Sequence, residues 1–200
     1  MTRSRLAAFV LVPVAAASLS GCGVNSIPTA EENAKAKWAN VQTDYQRRAN
    51  LIPNLVATVK GAAASEQNIL IGVTEARANA TKIQVTGDQL TDPAALQRFA
   101  QAQNGLTLSL QRLQEAYPQL QSQGNFKTLM DQIEGSENRI AISIRDYNDA
   151  VQSYNTTIRT FPAVIGAKVI YGAKPMATYQ ATTPNAEVAP PVSFDTNTSR

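Results

Sequence analysis

Apolar residues recur at intervals of three and four along most of the chain, the spacing that places them on one face of an α-helix. The longest run is Phe126, Met130, Ile133, Glu137, Ile140, Ile144, Tyr147, Val151, Tyr154, Ile158 and Phe161, which alternates fours and threes without a slip. Glu137 is its one charged member. A helix starting near Asn125 and stopped by Phe161 and Pro162 would carry this seam for about 54 Å at 1.5 Å per residue. Such a stripe must be covered, because each large apolar side chain removed from water contributes about 1.5–3 kcal/mol.

Two further helices follow from the same logic. Thr29 stands three residues before Glu32, the spacing of a capping box. Beyond it Trp38, Val41, Tyr45, Ala49, Ile52, Val56, Val59 and Ala63 form a stripe that resumes at Leu70 and Val73. Pro53 removes one backbone donor and kinks a helix, yet the apolar phase survives it, so one bent helix is predicted from about Glu31 to Ile83. VTGDQLTDP, residues 85 to 93, reads as a loop. Asp92 and Pro93 supply an N-cap and a first-turn proline for a helix with Leu96, Phe99, Leu106, Leu110 and Leu113 on its core side. Tyr117 ends it, since the residue before a proline is steered out of helical geometry. AVIGAKVIYG, residues 163 to 172, reads equally as a short helix or an extended cap. From Pro175 onward prolines, threonines and alanines dominate, as in an irregular tail. With strand patterns nearly absent, the expected fold class is all-α, an antiparallel up-and-down bundle of three to four long helices packed like a coiled coil.

The first residues follow a different rule. Arg3 and Arg5 precede an uncharged run, Leu6 to Ala17, and small residues then lead into LSGC, residues 19 to 22. That is the layout of a secretory signal; the run is shorter than the roughly 20 apolar residues a spanning helix needs. Cys22 is the only cysteine, so an internal disulfide is impossible. LSGC resembles the lipobox of bacterial lipoproteins, which implies cleavage before Cys22, a diacylglyceryl thioether on its sulfur and an acyl chain such as palmitate on the new amino terminus. An ordinary cleaved signal is the alternative. Gly23 in place of Asp favours the outer membrane under the sorting preference of lipoproteins. The expected organisation is a signal peptide over 1–21, a linker over 22–28, a helical bundle over 29–172 and an irregular tail over 173–200.

Composition then narrows the chemistry. Without residues 1 to 21, which hold two of the 18 basic residues, 16 basic residues face 15 acidic ones. That near-balance offers no electrostatic footprint for nucleic acid. The chain has no histidine, which removes the commonest general base and zinc ligand. No catalytic, cofactor-binding or metal-binding residues are expected, and no cofactor. Asp131, Glu134 and Glu137 lie near one another in sequence, but di-metal sites in bundles complete such carboxylates with histidine. Asp146 and Asp149 are three apart and read as surface charges near Arg145.

RRANLIPNLVATVKGAAASEQ (47–67), EAYPQLQSQGNFKTLMDQIEGSENRIAISIRDYNDAVQSYNTTIRTFP (115–162), YGAKPMATYQAT and APPVSF resemble the LemA family of bacterial membrane-attached proteins, over about Lys37 to Phe194. The resemblance implies a helical bundle held at a membrane on the extracytoplasmic side, with no established enzymatic activity. Many members carry an uncleaved transmembrane helix where this chain has a lipobox. Genomic association of the family implies envelope partners such as a membrane metalloprotease or a phosphatase-like domain. The expected function is a lipid-anchored, non-enzymatic binding or scaffolding module of the cell envelope, with the periplasmic face as its location. The alternatives are an envelope enzyme using carboxylates and an oligomeric protein that remodels membranes. Lipid attachment is expected at Cys22, and Arg47, Arg48, Asn54, Asn148 and Asn155 are candidates for a partner-binding surface. The plainer expectation for Arg47 and Arg48 is a solvated helix face, with Asp44 and Arg48 as an exposed pair, and for Tyr147 and Tyr154 a place in the core.

Overall fold

A computed structural model of the protein describes residues 25–62 and 67–181. Cys22, the expected signal segment and the last residues of the expected tail, APPVSF among them, lie outside the described residues. Four long helices run up and down: α1 (Ser26–Ala62), α2 (Gln67–Lys82), α3 (Pro93–Ala116) and α4 (Gly124–Thr157). No strand occurs among the described residues. α1 and α4 pack antiparallel along most of their length, tied by Lys37 to Asp146 at 2.8 Å and by Ser143 donating to Asp44.

The expected single helix from Glu31 to Ile83 is not formed. Arg77 Nε donates to the carbonyl of Ala49 at 2.7 Å, and Trp38 Nε1 donates to the carbonyl of Val85 at 2.8 Å. In one continuous helix Trp38 and Val85 would stand about 70 Å apart. α2 therefore runs back along α1. Pro53 sits inside α1 without ending it. Reversal lets Leu70 and Val73 bury against the same core as Ile52, Leu55 and Val59, whereas a continuous rod would leave half of its stripe uncovered.

Several boundaries also move. α1 begins at Ser26, inside the expected linker 22–28, because Ile27 is fully buried. The Thr29–Glu32 capping box is absent, since Thr29 is already helical and its hydroxyl donates to the carbonyl of Asn25. Within the 85–93 loop, Gly87–Thr91 forms a 3-10 turn that buries Leu90. Asp92 caps α3 as expected, its carboxylate accepting from the amide of Ala94 at 2.9 Å. The α4 seam ends at Ile158, and Phe161 turns outward.

After α4 a helical turn α5 (Ala163–Gly166) continues as a π-helical turn, Ala167–Tyr171. Gly172, at φ 55°, adopts the left-handed conformation that favours glycine. The chain beyond it runs back over the bundle as an irregular strap. Residues 173–181 have no regular structure, yet Met176 and Tyr179 are buried. Tyr179 joins Trp38, Phe99, Tyr147 and Tyr45 in one aromatic cluster, in which the rings of Phe99, Tyr147 and Tyr179 lie 5.0–5.5 Å from that of Trp38.

Burial pushes the Tyr147 and Tyr179 phenols well above their usual range, and Tyr45 and Tyr154 move the same way for the same reason. A raised folded-state pKa contributes stability that is complete below the unfolded value, about 10 for tyrosine, and is lost as pH climbs beyond it. With no histidine to titrate near neutrality, the urea midpoint is expected to stay level from about pH 6 to 9 and to fall from about pH 10 upward. A midpoint that holds or rises beyond pH 10 contradicts the buried neutral phenols.

Candidate functional site

Two features built from the apolar stripes, one polar and one extended, determine what the bundle can present. The first begins with Arg48. α1 buries Ala34, Trp38, Val41, Tyr45, Arg48, Ile52, Leu55 and Val59, a strict alternation of fours and threes. Arg48 thus occupies a seam position, only 1% exposed, and is not part of a solvated face. The apolar spacing alone takes Ala49 and Val56 at this point; Ala49 is buried as well, but Leu55 takes the core position and Val56 is only partly covered.

Arg48 is held from two sides. Its guanidinium pairs with Glu137 of α4, donates to Thr107 Oγ1 at 3.1 Å and Gln103 Oε1 at 3.0 Å on α3, and lies 5.1 Å from the Tyr45 ring centre. Gln103 is itself buried and donates to the carbonyl of Ala80 on α2 at 3.0 Å. A cavity of about 360 Å³ opens beside this layer, lined by Tyr45, Arg48, Asn104, Thr107, Glu137 and Tyr179 among others.

Asp44 takes Arg47, not Arg48, as its ion-pair partner, at 3.2 Å. Arg47 is exposed and borders a shallow groove of about 670 Å³ between α1 and α4, with Asp131 and Arg139 on the opposite wall. The expected carboxylate group disperses: Asp131 pairs with Lys127, Glu134 is exposed, Glu137 faces Arg48 and Asp146 pairs with Lys37. Asp149 borders a separate groove along the strap. Among the described residues no three carboxylates, cysteines or histidines come together in a metal-ligating group.

The second feature answers what Asn148 and Asn155 do. Each amide makes a two-way bond with the strap backbone. Asn148 donates to the carbonyl of Tyr179 and accepts from its amide, both at 2.9 Å. Asn155 does the same with Met176, again at 2.9 Å. The preceding tyrosines add two more bonds, Tyr147 to the carbonyl of Ala177 at 2.8 Å and Tyr154 to that of Lys174 at 3.1 Å. The Tyr-Asn pair repeated seven residues apart on one helix is thus a ladder for an extended segment three residues per rung. Tyr147 and Tyr154 are core residues as expected.

The five candidate surface residues therefore do not form one surface. Arg47 and Asn54 are exposed at separate points of α1, Arg48 is inside, and Asn148 and Asn155 are engaged by the strap. Missed from the sequence were Gln103, the strap contacts of Met176 and Tyr179, and the outward-facing Phe161, Ile165, Val169 and Ile170. Gln103 completes the strict spacing of Leu96, Phe99, Leu106, Leu110 and Leu113, which was the available signal.

The helical ladder and strap fall within one matched stretch. The sequence profile of the LemA family matches residues 37–194, most of the chain. The chain belongs to the LemA family. Magnetosome proteins MamQ 1 and MamQ 2 of Paramagnetospirillum magneticum and magnetosome protein MamQ of Magnetospirillum gryphiswaldense are each 30% identical to it over 157 residues. That alignment covers 69% of this chain and 58% of each relative, so the LemA chain spans less than two thirds of their length. No helix among the described residues is long and apolar enough to cross a membrane.

Replacing Asn148 by Ala leaves the Tyr179 amide and carbonyl without their partners, at a cost of about 1–3 kcal/mol. Chymotrypsin is expected to cut after Tyr179 several-fold faster in Asn148→Ala than in the parent. Equal rates in the two proteins contradict the ladder.

Proposed function

We propose that this LemA-family protein is a lipid-anchored scaffold of the bacterial cell envelope, a helical binding module without enzymatic activity, tethered through Cys22 on the extracytoplasmic side of a membrane. The observation that carries the reading is the short distance between tether and fold. α1 starts at Ser26, with Ile27 already buried, and the four Cα-to-Cα steps from Cys22 to Ser26, across three intervening residues, span at most about 14 Å. A diacylglyceryl group on Cys22 would hold one end of the bundle against the bilayer, and two or more acyl chains make such attachment stable.

Support for a scaffold over a catalyst comes from where the polar groups go. Arg48, Glu137, Gln103, Asn148 and Asn155 are spent on one another and on the backbone, and the open grooves are shallow and shared between helices. The relatives are named for a cellular structure, the magnetosome, and not for a reaction. An envelope protein is the expected partner, with the exposed groove beside Arg47 as the place to look first.

Mass spectrometry of the membrane fraction tests the tether. The native chain is expected to lack residues 1–21 and to carry a lipid mass on Cys22, while Cys22→Ser accumulates as an uncleaved precursor without it. Cross-linked capture of the native protein from detergent-solubilised envelope is expected to return the same partner in repeated experiments, and Arg47→Glu to weaken that capture. Normal processing of Cys22→Ser, or capture that returns nothing reproducible, contradicts the proposal.

A further inference from the structure

Among the described residues seven large apolar side chains are exposed, and five of them, Phe161, Ile165, Val169, Ile170 and Tyr171, fall within one stretch of eleven residues. Phe161 is 81% exposed and Val169 79%. The stretch is built inside out. Its small residues, Ala163, Gly166 and Ala167, are buried, and Ala163 and Ala167 belong to the core cluster that holds Ile27 and Ile158. The large side chains point away from the bundle. A cap made for water would use the opposite arrangement, because burying a large apolar side chain contributes more than burying an alanine, and contiguous apolar surface on a soluble face marks a contact site.

Two observations identify the occupant. One is charge: Arg159, Lys168 and Lys174 are exposed around this face, and no acidic residue occurs from residue 150 to 181. Glu31 and Glu32 at the nearby start of α1 are both bound to Lys35, at 2.8 and 2.9 Å. The other is position. Because α1 and α4 are antiparallel, the face lies at the end of the bundle where α1 begins, and Ile27 shares its core cluster with Ala163 and Ala167. Cys22, the proposed tether, precedes α1 by only a few residues and so leads into that same end.

We propose that Phe161, Ile165, Val169 and Ile170 form a lipid-contact platform that seats this end of the bundle on an anionic bilayer surface. Apolar side chains ringed by lysine and arginine, with a tyrosine at the margin, suit the boundary between acyl chains and headgroups, where the long cationic stems reach up to the phosphates. The platform rests on the reading of Cys22 as a lipid tether: the tether supplies proximity, and the platform sets orientation, standing the helices away from the membrane with the Gly61 end outermost.

The test uses the full-length protein carrying its native anchor, reconstituted into vesicles of phosphatidylglycerol and phosphatidylcholine. An environment-sensitive fluorophore is placed on Val169→Cys, and on Lys60→Cys at the far end of α1 as reference. Co-flotation reports the tether, and quenching by lipids with nitroxide-labelled acyl chains reports the platform. The label at 169 is expected to emit further to the blue and to be quenched several-fold more than the label at 60, with less quenching when phosphatidylglycerol is omitted. Protein that floats with the vesicles while both labels behave alike overturns the platform and leaves the tether standing. A blue shift without lipid quenching, in protein that light scattering shows to be dimeric, assigns the face to a second copy and also overturns it. Protein that does not float overturns tether and platform together, and equal quenching in pure phosphatidylcholine removes the anionic preference.

Discussion

The bundle depends on one polar layer, Arg48 of α1 with Glu137 of α4 and Gln103 of α3. Each is the single polar interruption of an otherwise apolar stripe, and the three interruptions meet at one level. A buried ion pair is a poor source of net stability, because desolvating the charges offsets much of their attraction. What it supplies is discrimination. Sliding α4 by seven residues would set Met130 or Ile144 against Arg48 and leave a guanidinium buried without its counter-ion. The apolar seam alone repeats every seven residues and would tolerate that slip.

The layer also divides the interior. On one side lie Ile52, Leu55, Val59, Leu106, Leu110, Leu113 and Ile133, a mainly aliphatic half shared with α2 that also holds Tyr117 and Phe126. On the other lie Trp38, Tyr45, Phe99, Tyr147, Tyr154 and Tyr179, an aromatic half that the helices alone do not close. The strap closes it, with Tyr179 against Trp38 and the Tyr45 hydroxyl 3.0 Å from that of Tyr179. Because the strap is extended, its backbone needs partners from elsewhere, and the amides of Asn148 and Asn155 supply them. The half that needs this cover is the half nearest the N-terminal end, where the apolar face of α5 and the following turn also sits.

Much of this architecture is legible in the chain. The all-α class, the Asp92–Pro93 start and Tyr117 end of α3, and most of the α4 seam follow from periodicity and capping chemistry, which act within a few residues. What escapes is decided by distant contacts. GAAASEQ, residues 61 to 67, is compatible with continued helix, and only the meeting of α2 with α1 shows that the chain doubles back. Arg48 reads locally as one of an exposed pair with Asp44, because the counter-charge that lets it enter the core lies 89 residues away in sequence. The strap carries no local sign of burial, since its bonds come from side chains of α4. Of the candidate surface, the Tyr-Asn repeat was visible as a pattern, but its use by the protein's own tail was not.

A double-mutant cycle on the polar layer tests the account most directly. Glu137→Ala leaves Arg48 buried without its counter-charge and, although Glu137 is itself 40% exposed, is expected to lose about 2 kcal/mol or more in urea unfolding. Adding Arg48→Met removes the stranded charge, so the double variant is expected to be more stable than Glu137→Ala alone. If the two losses instead add, with the double variant the least stable of the set, Arg48 and Glu137 act independently and the layer does not set the register of the bundle.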